Sequence, residues 1–336
     1  MTSQMRHKAG ALAHDTAPPP RLEFHPDAVA VALSGAVLSI RASEPVVAVV
    51  SSGRSGNEYL PGGLFVPGEH HTLEAGVRSW INHQTGVELG FLEQLCAWSR
   101  EPGADSAGPP YVISISFLAL VGPAQCNDRT RATWRSWYSF LPWEDWRAGK
   151  PDCFNEIGGR LETWAEKAGP QESEERRRRI RIAFGTGGVG WDEEKVAERF
   201  DLLCEAGVIP AKPAEATGFV CRLPRLVHPE LGDHSAVLSR AIGELRRALK
   251  CRPVLFELMH EEFTLFELQK AVEAILGPHL HKQNFRRLVE GCGLVEPTGS
   301  RRLRTGGRPA QLYRFRRDVI YEHAAPGVRL KPGRIH

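Results

Sequence analysis

The chain has 336 residues, room for two domains of ordinary size, and its 42% hydrophobic and 25% charged content is that of a globular protein. A net charge of +3 says little about partners, and the seven cysteines, odd in number and without a CxxC pair, argue against a disulfide framework or a zinc site. They point instead to small buried hydrophobes in a reducing, cytoplasmic setting.

Residues 1–20, ending APPP, lack an apolar stretch of signal-peptide length and are expected to form a disordered tail. The longest apolar run, 28–40, contains Ser34 and Gly35 and is too short to span a bilayer, so no membrane partner is expected. That run and 45–50 are rich in Val, Ala, Leu and Ile and read as strands, although the Ala-rich first one also fits a helix. A loop opening LPGG follows, then a helix over 72–84 with Thr72 as N-cap and Gly86 just past its end. His70 and His71, ahead of it, read as exposed loop residues.

YVISISFLALV, 111–121, is the strongest strand in the chain, bounded by Pro110 and Gly122. Residues 133–146 are dense in aromatics, which fit core or dimer contacts; an adenine or nicotinamide ring could also stack there. A charge run at 172–179 reads as a solvated helix end whose arginines could also reach DNA. Residues 179–184 alternate like a short strand, and 192–206 show helical spacing stopped by Gly207. Between them GTGGVG, 185–190, matches a dinucleotide-binding turn, but the acidic Asp192-Glu193-Glu194 opening of the next helix would repel a pyrophosphate. A Gly-rich connection is the better reading. Residues 208–234 are loop-like with four prolines, and 235–250 form an amphipathic helix with Leu238, Ile242, Leu245 and Leu249 on one face.

The C-terminal part is the most informative. Thr264-Leu-Phe-Glu267 is a capping box that opens a helix ending at Gly277-Pro278. A second helix near 282–291 turns Phe285, Leu288 and Val289 inward and Gln283, Asn284, Arg286 and Arg287 outward. A hairpin follows, with one arm near 294–297, a basic loop SRRLRTGGRP and a return strand over 311–315. Between Lys282 and Arg317 there are ten basic residues and two acidic ones. Helix, turn, helix and basic hairpin form the layout of a winged helix-turn-helix, and the one-sided charge is the footprint of phosphate-backbone contact. Candidate DNA-binding residues are Thr264, Lys282, Gln283, Asn284, Arg286 and Arg287, with Arg301, Arg302, Arg304 and Arg308 in the wing.

This segment, with RPVLFELMHEEFTLFELQKAVEAILG, NFRRLVE and GRPAQLYRF, resembles the C-terminal winged helix of the Nudix-related transcriptional regulators. The length of the chain is similar to that of the NAD-biosynthesis regulators of alphaproteobacteria. The resemblance implies an N-terminal Nudix-like α/β/α sandwich with a mixed sheet, sensing a nucleotide, ahead of the winged helix. The expected division is a tail to residue 20, a sensing domain over 21–208, a linker and connecting helix over 209–250, the winged helix over 251–320 and a second tail over 321–336. It also implies a repressor of NAD-biosynthesis genes that binds a double-stranded DNA operator as a homodimer, with NAD, ADP-ribose, a nicotinamide mononucleotide or ATP as effector.

The resemblance makes LPGG and its helix testable. A working Nudix box, G-x5-E-x7-R-E-U-x-E-E-x-G-U with U aliphatic, clusters glutamates because magnesium requires several oxygen ligands. Here Gly63 and Glu69 fit the start and Gly86-Val87 the end, with two extra residues at His70-His71. Ser79-Trp80 and His83-Gln84 then stand where Arg-Glu and Glu-Glu should be. Trp80 cannot ligate magnesium and His83 prefers softer metals, so neither a catalytic nor a metal site is expected. The candidate ligand contacts are Arg54, Gly62, Gly63, Phe65, Trp80 and His83. The competing reading is a hydrolase of nucleoside-diphosphate-linked compounds with an accessory nucleic-acid-binding module. An RNA-binding adaptor is disfavoured because the basic segment lacks exposed stacking aromatics.

Overall fold

The computed structural model describes residues 29–51, 57–100, 111–126, 130–210, 223–228, 232–291, 293–302 and 309–316. The Ala-rich first run is a strand, β1 (Val29–Arg41), and a tight turn returns it as β2 (Glu44–Ser51). Two short strands follow, β3 (Glu58–Tyr59) and β4 (Gly62–Leu64), then helix α1 (Leu73–Thr85). β5 (Phe91–Arg100), β6 (Tyr111–Leu120) and β7 (Thr133–Ser136) complete the sheet. Its order is β3-β2-β1-β6-β5, with β4 added to β1 and β7 to β2. β1 and β6 run parallel and the other pairings are antiparallel, so the sheet is mixed.

The period-2 alternation of strands decides what each face packs against. On β1, Leu33 and Val37 meet Val77 and Ile81 of α1, whereas Ala36, Leu38 and Ile40 belong to the larger core on the opposite face. That core also takes up the aromatic-rich segment, in which Trp137 and Trp143 are fully buried. These rings are core residues, as their density suggested.

Three helices follow: α2 (Phe154–Glu166), α3 (Pro170–Phe184) and α4 (Val196–Glu205). α3 corrects the strand expected over 179–184. Pro170 begins the helix, Glu172 pairs with Arg176 one turn on, and Gly185 closes it in the left-handed region. Ser173, Ala183 and Phe184 are buried and Ile180 packs beside them, a helical stripe that outweighs a four-residue alternation. GTGGVG therefore follows a helix, which leaves no strand to launch a dinucleotide-binding turn. The arginines of α3 are neutralised locally: Arg176, Arg177, Arg178, Arg179 and Arg181 each pair with a glutamate of α2, α3 or α4.

A small hairpin, β8 (Val227–His228) and β9 (Gly232–Asp233), leads into α5 (Ser235–Cys251). All four predicted apolar residues of α5 are buried. The helix packs on β1, β5 and β6 and against α4, completing the sandwich. The winged helix follows directly: α6 (Leu265–Leu276), α7 (Lys282–Gly291), β10 (Val295–Arg302) and β11 (Ala310–Phe315). Phe263 and Tyr313 exchange backbone hydrogen bonds, adding a one-residue third strand to the wing. β10 runs further than expected, taking Ser300, Arg301 and Arg302 out of the loop and into the strand.

One charged group lies in the centre of the larger core. The Glu144 carboxylate accepts from Arg199 Nε at 2.6 Å, from Arg199 Nη2 at 2.9 Å and from Arg246 Nη1 at 2.7 Å, and all three side chains are inaccessible to solvent. Burial by itself would raise the Glu144 pKa, but the two guanidinium groups override it and hold the carboxyl below its ordinary value. No helix among the described residues is long and apolar enough to cross a membrane.

Candidate functional site

The winged helix exposes some of the residues expected to contact DNA and engages others within the fold. The Thr264 hydroxyl accepts from the Glu267 amide at 3.2 Å, and the Glu267 carboxylate accepts from the Thr264 amide at 2.8 Å. Thr264 is buried, so its side chain starts the helix rather than facing a ligand. At the other end of α6 the buried Glu273 carboxylate holds the turn. It accepts from the Leu280 amide at 3.0 Å, from Gln269 at 2.8 Å and from Lys270 at 2.8 Å, with His279 Nδ1 3.3 Å away. Burial would raise the carboxyl's pKa, but these bonds outweigh it and keep the group ionised. Glu273 thus fixes the lead into α7, a role that no local sequence signal announces.

On α7, Phe285 and Val289 are buried four residues apart, and Lys282, Gln283, Asn284, Arg286 and Arg287 are exposed. Amide and guanidinium groups on such a face can form paired hydrogen bonds to base edges in a major groove. Arg286 is bound to Glu290 at 2.9 Å, one turn along its own helix. In the wing Arg301 is exposed, opposite Gln311. Arg302 instead reaches back to the Glu267 carboxylate at 2.8 Å and the Glu262 carbonyl at 3.4 Å, tying the wing to the start of α6. Arg304 and Arg308 lie outside the described residues. Phe266, 43% exposed beside that tie, is a surface aromatic that the sequence does not mark as such.

The LPGG turn and α1 form a closed polar knot. The Gln84 amide makes a matched pair with one backbone unit: Gly62 N donates to Oε1 at 2.8 Å and Nε2 donates to the Gly62 carbonyl at 2.9 Å. The indole of Trp80 lies flat on Gly63 and donates to the Leu64 carbonyl at 2.9 Å. A Cβ on Gly63 would fall 2.5 Å from that ring, so only glycine fits. His70 is buried, not exposed: its Nδ1 accepts from the Val66 amide at 3.1 Å, and its ring meets Phe65 and Trp80. His71 and His83 are exposed, and Arg54 lies outside the described residues. Phe65, Gly62, Gly63 and Trp80 are therefore brought together, and His83 is not part of the knot.

Among the described residues no group of three or more His, Cys, Asp or Glu is placed to hold a metal ion. Glu69 is exposed, and Glu74 is engaged with Arg78 at 2.9 Å. Replacing Gln84 by alanine removes both bonds to Gly62 and is expected to cost about 2 kcal/mol, lowering the melting temperature by roughly 5 °C. A thermal melt of the variant checks this, and an unchanged midpoint would show that the pair contributes nothing.

Residues 255–315 match the NrtR DNA-binding winged helix domain. An ADPR responsive transcriptional repressor, NtrR of Acinetobacter baylyi, is 42% identical over 83 residues, which is 25% of this chain and 33% of that protein. The match thus spans about a third of the relative's length. The crystal structure of Shewanella oneidensis NrtR complexed with a 27mer DNA shares 19% identity with a TM-score of 0.50, over 86% of this chain and 94% of that one. The same protein without DNA gives a TM-score of 0.50 over 88% and 96%. Residues 255–315 are therefore a winged helix of the NrtR type, carried on a chain that has the fold of the Nudix-related regulators.

Proposed function

We propose that this protein is a DNA-binding transcriptional repressor whose Nudix-like part, residues 21–208, senses ADP-ribose or a close relative of it. One observation carries the reading. The exposed polar face of α7 and the basic wing fall inside the segment that matches the NrtR winged helix, on a chain that is 42% identical over 83 residues to an ADPR responsive repressor. Residues 209–250 connect the sensor to the DNA-binding part over 251–320. The repressor acts in the cytoplasm as a homodimer, because one winged helix reads too few base pairs to define an operator.

The sensor binds without turnover. Trp80 and Gln84 tie up the backbone of the LPGG turn in a neutral network, where a hydrolase needs carboxylates aimed at magnesium. Incubation of the full-length protein with ADP-ribose and magnesium is expected to release no AMP above background. AMP release abolished by a substitution on α1 would favour the hydrolase alternative. The regulatory reading is tested by titrating ADP-ribose, NAD, nicotinamide mononucleotide and ATP into the protein bound to DNA from its own gene neighbourhood. ADP-ribose is expected to change the dissociation constant at least about fivefold, the lower end of typical allosteric coupling. No response to any of the four would undo the sensor assignment.

A further inference from the structure

Helix α6 ends on carbonyls that its own backbone cannot satisfy in the usual way. The residue four places after Ala274 is Pro278, which has no N–H to give. The Tyr138 hydroxyl takes its place, donating to the Ala274 carbonyl at 2.8 Å. The next carbonyl, that of Ile275, accepts from Arg246 Nε at 2.8 Å. Gly277 lies close to that segment: a Cβ there would stand 3.2 Å from the Glu144 carbonyl, tighter than an ordinary van der Waals contact.

None of these partners belongs to the winged helix. Tyr138 follows β7, and Arg246 sits on α5 with its guanidinium also bound to Glu144, to the Glu193 carbonyl at 3.0 Å and to the Tyr138 hydroxyl at 3.3 Å. Both side chains are buried, so water is no substitute partner. The Glu273 clamp on the Leu280 amide makes the last turn of α6 and the lead into α7 one body. A shift of the 137–146 segment or of α5 by a fraction of a hydrogen-bond length therefore either carries the start of α7 with it or breaks the two bonds.

We infer that Tyr138 and Arg246 are positioning residues of DNA recognition: they hold the end of α6 to the core of the Nudix-like part and pass its ligand state to α7. This rests on the reading that ADP-ribose changes DNA affinity. Coupling between distant sites requires an element whose contacts differ between two states, and these two bonds join the elements across which that difference would pass.

The test uses the full-length protein, ADP-ribose as probe and a duplex selected by the wild type from a random-sequence pool. Tyr138→Phe keeps the ring and removes only the hydroxyl. In the wild type ADP-ribose should shift the duplex dissociation constant at least about fivefold. In Y138F the ADP-ribose affinity of the free protein should be unchanged and the shift should fall below about twofold. A merely structural role would lower stability and leave the ratio intact, and a wild-type ratio in Y138F overturns the inference. Hydrogen exchange gives a second readout: ADP-ribose should change amide exchange across 275–282 in the wild type, and no change there also overturns it. A wild-type protein that selects no duplex, or whose duplex ignores ADP-ribose, overturns the functional reading instead, and this inference with it.

Discussion

Replacing Gln283 and Arg287 together by alanine should weaken binding to a selected operator by roughly a hundredfold, about 3 kcal/mol, and leave the melting temperature nearly unchanged. Both side chains are exposed on α7, so folding does not depend on them. Phe285 and Val289, on the opposite side, carry the packing of the helix. Each paired hydrogen bond to a base edge is worth about 1–3 kcal/mol of discrimination, so the loss should fall on the selected sequence and much less on random DNA. Arg301→Ala makes the contrast: if this exposed wing cation pairs with a phosphate, its removal should lower affinity for every sequence and reduce the salt slope by about 0.9. Fluorescence anisotropy with selected and scrambled duplexes over a range of salt separates the two. Equal losses on both duplexes for the α7 variant would remove base readout from that helix.

Glu144→Gln should destabilise the chain by about 4 kcal/mol, because two guanidinium groups then lie buried without a carboxylate. Against a typical total of about 5–15 kcal/mol, that exposes much of the population to unfolding on mild warming. The same carboxylate makes stability depend on pH. Its folded pKa lies below its unfolded value, so its contribution is fully present above the ordinary carboxylate range and is lost as pH falls through the folded value. Urea midpoints measured from neutral pH down into the acid range should fall more steeply for the wild type than for E144Q. Parallel curves would show that the ion group has no part in acid sensitivity.

The winged helix was legible because its signals are local. The Thr264 and Glu267 capping box, the Gly277-Pro278 stop and the apolar spacing on α7 each lie within a few residues, and the structure repeats them. The sheet was legible from β-branched runs. The 179–184 segment misled because Ile180 and Ile182 alternate with arginines over a span too short to exclude a helix. His70 misled because its neighbour is exposed and nothing adjacent announces the Val66 amide and the Trp80 ring that bury it. The Glu144 group joins residues 55 and 102 positions apart, and such long-range pairing leaves no periodic mark. Gln84 carries a clue that is readable in hindsight. A side-chain amide sets an N–H donor group beside a carbonyl acceptor, the complement of one residue's backbone C=O and N–H.

That complement has a consequence for how this chain can change. A glutamate at 84 would match one position of the Nudix box but present two acceptors to Gly62, setting a carboxylate oxygen against the carbonyl that Nε2 now serves. Trp80 would still cover Gly63. Each single step towards a metal site is thus unfavourable. The knot between the turn and the helix opposes single substitutions towards a carboxylate cluster: each one meets partners already engaged with the backbone of the turn.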